Sequence, residues 1–67
     1  MERELQDGVY KSGTATYFVK DNRVLMLLMG DYYKTNYNFM IGAEMTKPLT
    51  ESQKESFDRA YEAAKRW

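Results

Sequence analysis

The sequence predicts an α+β fold, an antiparallel β-meander of three to four strands with one C-terminal α-helix packed on one face. Three observations predict it. Six apolar residues in a row, Val24 to Met29, stand between turn-forming pairs. Residues 34–44 alternate apolar and polar with the period of two that a half-buried strand shows. Residues 50–67 open with the spacing of a capping box and then repeat apolar residues at helical intervals.

Taken in order, residues 1–7 (Met-Glu-Arg-Glu-Leu-Gln-Asp) read as a flexible arm or a single helical turn. An antiparallel sheet is expected over residues 8–47. Val9 to Ser12 form a short strand that Gly13 ends. Thr14 to Lys20 are rich in β-branched and aromatic residues, with Ala15, Tyr17 and Val19 on one face and Thr14, Thr16 and Phe18 on the other. Asp21 and Asn22 tolerate positive φ, as a two-residue hairpin demands. Arg23 to Met29 return as the apolar strand, which Gly30 and Asp31 close. A short helix over 23–29, capped by Asp21 or Asn22, is the rival reading, because Leu and Met are good helix formers. A third strand follows at about 34–44, with Thr35, Tyr37, Phe39, Ile41 and Ala43 on one face. Pro48 and Leu49 break the sheet, and a helix is predicted over 50–66. Thr50 and Gln53 make its capping box, and Phe57, Ala60, Tyr61, Ala64 and Trp67 its apolar stripe. Glu55 with Arg59 and Glu62 with Arg66 add i,i+4 pairs, and Lys65 and Arg66 suit the negative end of the helix dipole.

Composition narrows the function classes. At 67 residues the chain is one small domain, 1–67. It has no Cys and no His, so thiol nucleophiles, disulfides and the commonest general base are missing, and no metal site or cofactor is expected. Ser12, Ser52 and Ser56 have no imidazole to activate them. Asp31 and Glu44 have no companion at an acid–base spacing, so no catalytic residue is assigned and no enzyme is expected. Ten basic and ten acidic residues cancel, which projects no long-range field toward a nucleic acid or a membrane. The charged opening lacks the apolar core of a signal peptide, and the expected compartment is the cytoplasm.

The apolar strand sets a burial problem. Val24, Met26 and Leu28 point one way, Leu25, Leu27 and Met29 the other, and one helix covers one face. Each large side chain left in water forgoes about 1.5–3 kcal/mol. The expectation is that Val24, Met26 and Leu28, or else the opposite set, are covered by a second copy, giving a homodimer. Self-coverage by Leu5 and the chain around Pro48 and Leu49 is the alternative.

The expected function is a small non-enzymatic protein acting stoichiometrically on a protein partner, as inhibitor, adaptor or regulator. Tyr32, Tyr33, Lys34, Asn36 and Asn38 are the candidate contact residues, combining rigid aromatics with adaptable hydrogen bonding. Bacteriophages and mobile elements encode short modulators of this size, an analogy from length alone. The alternative is a single-stranded nucleic-acid binder using Lys11, Tyr17, Phe18, Lys20, Arg23 and Lys34, in a region, 8–47, with five basic and three acidic residues and so a local charge of +2. Strands followed by a C-terminal helix are similar in order to the Pur and Whirly single-strand binders, a likeness of topology that implies dimers and carries no motif of either family. A ligand-sequestering protein with a pocket between subunits is the third reading.

Overall fold

The computed structural model describes residues 6–66, and the expectations for Leu5 and Trp67 lie outside the described residues. Four strands form the meander: β1 (Gly8–Ser12), β2 (Ala15–Lys20), β3 (Arg23–Leu28) and β4 (Asp31–Thr35). A 3-10 helix (Tyr37–Met40), β5 (Glu44–Lys47), α1 (Glu51–Ala63) and β6 (Lys65–Arg66) complete the chain. The sheet has six strands in the order β5-β1-β2-β3-β4-β6, antiparallel except where β6 pairs parallel with β4. The α+β class holds, with more strands than the pattern suggested.

Three two-residue loops join the meander. Gly13 carries φ of 60°, Asp21 and Asn22 carry 52° and 61°, and Met29 and Gly30 carry 51° and 85°. The first two loops use residue types that accept a left-handed backbone. Met29 does not belong to that group.

Cross-strand partners share a face, so the register sorts the side chains. Tyr10, Tyr17, Met26 and Tyr33 form one row and Val19, Val24 and Thr35 another, all on one face. Val9, Phe18, Leu25 and Lys34 lie on the opposite face, with the row Lys11, Thr16, Leu27 and Tyr32 beside them. Residues 23–29 are therefore not a helix, and the predicted split of Val24, Met26 and Leu28 from Leu25 and Leu27 is the observed one, whereas Met29, expected beside Leu27, lies in the β3–β4 loop beyond the strand.

The first face is covered from within the same chain. Tyr17, Val19, Val24, Met26 and Met40 form a buried cluster, with Tyr37 and Ala43 packed against it. Val24 is 1% and Met26 4% exposed. That corrects the expectation of a bare face needing a second copy: Val24 and Met26 are not available at a surface, and Leu28 is half-buried against the same cluster. The cover is the stretch read as the end of a third strand. Asn36 stops the ladder by turning its side chain onto its own backbone, accepting a hydrogen bond from Asn38 N at 2.9 Å. The 3-10 helix then drops Met40 onto the sheet, and Gly42 (φ 89°) turns the chain away. Tyr17 Oη donates to the Phe39 carbonyl at 2.8 Å and fixes the cover in place.

The second face is covered by α1. The capping box is present as predicted, with Gln53 N donating to Thr50 Oγ1 at 3.1 Å and Thr50 N to Gln53 Oε1 at 2.9 Å. The helix ends earlier than the predicted 66. Ala64 is extended (φ −68°, ψ 149°), and Lys65 and Arg66 take backbone partners on the open edge of β4. Neither cation thus sits in the last helical turn, and Glu62 and Arg66 do not form a helical pair. Gln6 and Asp7 also depart from a free arm: Tyr10 Oη donates to the Gln6 carbonyl at 2.7 Å and Asp21 N to Asp7 Oδ1 at 3.1 Å.

Candidate functional site

The helix sits on the second face without filling it. Phe57 is buried against the sheet and Leu49 lies buried just before the helix. The rest of the stripe that looks toward β2 and β4 is small: Ser52, Ser56 and Ala60, spaced i, i+4, i+8. Small side chains opposite Phe18 and Tyr32 leave a cleft of about 260 Å³. Its lining is Phe18 of β2, Leu25 of β3, Tyr32 of β4 and the helical Ser52, Gln53, Ser56, Phe57 and Ala60. Phe18 and Tyr32 meet across the sheet with ring centroids 6.4 Å apart. Tyr32 remains 40% exposed at the mouth. The floor is apolar and aromatic, and the helical rim offers two hydroxyls and an amide.

The opposite flank of the helix is held by charge. Asp58 Oδ1 accepts from Arg23 at 2.7 Å and from Lys20 at 3.4 Å. Those two hydrogen bonds, from Arg23 first and Lys20 second, hold the Asp58 carboxyl below its ordinary pKa. The Arg23 guanidinium lies 5.2 Å from the Phe57 ring centroid and 5.3 Å from that of Tyr61, while Lys34 Nζ lies 5.5 Å from Tyr61. Phe57 and Tyr61 stack with centroids 5.7 Å apart. Helix and β2–β3 hairpin are thereby clamped at one end of the sheet, and the cleft opens beside the clamp.

The structure divides the sequence-predicted contact set. Tyr32 and Lys34 are on the helix-covered face, Tyr32 at the cleft mouth and Lys34 against Tyr61. Tyr33 packs on the opposite face against the buried cluster. Asn36 serves as the cap of the 3-10 helix, and Asn38 is exposed within it.

The nucleic-acid set is divided too. Phe18 lines the cleft, Tyr17 is buried on the other face, and Lys11 is exposed on β1. Lys20 and Arg23 are occupied by Asp58.

The residues sequence reasoning missed are Ser52 and Ser56. Their signal was present, a small residue every fourth position beside a large apolar stripe. Among the described residues no group of three His, Cys, Asp or Glu is placed to hold a metal ion, and no helix is long and apolar enough to cross a membrane. Comparison with family models, curated proteins and solved structures gives no match to this chain.

Proposed function

We propose that the protein is a non-enzymatic binding module that acts stoichiometrically on a protein partner and takes an apolar side chain of that partner in the cleft between α1 and the sheet. One observation carries the reading: an apolar, aromatic-floored cleft of about 260 Å³ with Ser52, Gln53 and Ser56 on its rim. Sites that enclose a drug-sized ligand span roughly 300–1,000 Å³, so this volume suits a side chain better than a whole small molecule. Protein interfaces concentrate their energy in such sockets, where one aromatic or aliphatic anchor is fully desolvated. The alternative role, single-strand binding, has less support, because a stacking platform needs open rings flanked by unoccupied cations. Here Lys20 and Arg23 are committed to Asp58, and Tyr17 is buried.

The test is a pull-down from the native host with wild type beside Tyr32→Ala and Ser56→Arg. Tyr32→Ala removes one wall, and Ser56→Arg fills the cleft from an exposed helical position. A specific band lost in both variants and insensitive to salt supports the reading. The same bands in all three reject it. Nucleic acid released steeply between low and physiological salt favours the alternative.

A further inference from the structure

The β3–β4 loop breaks a rule that the other two tight loops obey. Each left-handed position in those loops is held by Gly13, Asp21 or Asn22. Met29 takes the same backbone conformation (φ 51°) with none of the side-chain features that ease it. It is also 92% exposed, so no packing among the described residues offsets the strain. A residue held in an unfavourable conformation with its side chain in water points to a use outside the monomer.

We infer that Met29 is an insertion residue, and that its socket is the α1–sheet cleft of a second copy of this chain. The inference rests on the reading of that cleft as a socket for an apolar side chain, and names what fills it when no other partner does. Phe18, Tyr32 and Phe57 line the cleft, and a thioether packs favourably on aromatic rings. Tip and socket share one hairpin, since Met29 and Tyr32 are three residues apart across the loop. A single twofold operation therefore seats Met29 of each copy in the cleft of the other and closes the contact at two chains. The layout of the face allows this. Asp58 and Arg23 hold α1 at the end of the sheet where β2 and β3 are joined. Leu27 and Thr16, toward the Met29 end, are only half-buried. Two copies turned head to tail bring these uncovered halves together, with their helices staggered at opposite ends. The dimer occupies both clefts, so self-association regulates the partner site by occlusion.

Sedimentation equilibrium over a dilution series tests this with four samples: wild type, Met29→Asn, Ser56→Arg, and an equimolar mixture of the two variants. Wild type is expected to dimerise, and each variant alone to weaken the dimer by about tenfold or more, since both contacts are lost. The mixture regains association, because Met29 of one chain meets the open cleft of the other. Misfolding does not mimic this result. Asn accepts the left-handed backbone better than Met, so at dilutions where wild type is itself monomeric, and dimerisation adds nothing to its stability, Met29→Asn is expected to melt at or above the wild-type temperature. Wild type that stays monomeric at about 1 mM, Met29→Asn that dimerises as tightly as wild type, or a mixture with no regained association overturns the inference. The proposed function is read separately: Met29→Asn keeps its cleft and is expected to retain the partner band in the pull-down, whereas Ser56→Arg loses it.

Discussion

The two faces of the sheet are closed by opposite kinds of structure. One is covered by a four-residue 3-10 helix and its flanking loops, the other by a regular helix of 13 residues. The shorter and less regular element makes the tighter seal. Met40 is 4% exposed over Tyr17, Val24 and Met26, while the longer α1 leaves a cleft over Phe18 and Leu25. What decides closure is the size of the side chains aimed at the sheet. The 3-10 helix aims Met40 and Tyr37, and one flank of α1 aims Ser52, Ser56 and Ala60. Protein interiors pack densely only where volumes match, and a helix carrying small residues opposite large ones leaves room for something else.

A pair of truncations tests that contrast most strongly. Met40→Ala removes the plug of the closed face, where a large-to-small change costs about 2–5 kcal/mol. Phe18→Ala acts on the open face, where the ring already borders a cleft, so less new cavity forms. Its cost is expected below about 2 kcal/mol, short of the 3–5 usual for a buried Phe. Urea denaturation with both variants at a common m-value checks the order. Equal losses mean that the cleft closes in solution, and the contrast between the faces fails.

Smaller changes probe how the 3-10 cover is held. Tyr17→Phe deletes the hydrogen bond to the Phe39 carbonyl and is expected to cost about 0.5–1.5 kcal/mol. Hydrogen exchange of the Phe39 and Met40 amides is expected to rise more than that of β2. Thr35→Val acts in the reverse direction. Thr35 Oγ1 is buried beside Val24 without a hydrogen-bond partner among the described residues, and an isosteric methyl removes that penalty. A gain of about 1 kcal/mol is expected, read as a higher urea midpoint. A loss there means that the hydroxyl finds a partner in solution.

Local signals in the chain were sufficient wherever one short segment decides its own conformation. Asp21-Asn22 specifies a tight hairpin, the β-branched and aromatic run after Thr14 specifies β2, and Thr50 with Gln53 specifies the start of α1. The end of the supposed third strand was misread for a physical reason. Alternation over 35–43 has the period of a strand, but Asn36 offers its own backbone a competing hydrogen bond and Gly42 reverses the chain, so the ladder stops at Thr35. β5 and β6 depend on pairings far away in sequence, with β1 and β4, and four-residue and two-residue segments carry no pattern long enough to announce them. The cleft is not legible from Ser52 and Ser56 as hydroxyl nucleophiles, which lack a histidine to activate them. Their small volume was the informative property.

The mildest perturbation separates the two faces of the sheet. Asp58 has its folded pKa below the ordinary value of 3.8, so ionic attachment to Arg23 and Lys20 contributes fully above that value. The contribution is lost as pH falls through the lowered folded pKa, where the carboxylate takes up its proton. The Asp58 carboxylate is solvent-facing and Arg23 partly so, so the effect is small and salt weakens it. In melting curves recorded from neutral pH down through 3.8, wild type is expected to lose stability more than Asp58→Asn, with the gap narrowing at high salt. The location of the loss matters more than its size. Amides of α1 are expected to exchange faster in Asp58→Asn, while Tyr17, Val19 and Val24 under the 3-10 cover keep their protection. Equal loss on both faces indicates that the sheet unfolds as one unit, and that the clamp at Asp58 does not govern how far the helix stands from the cleft floor.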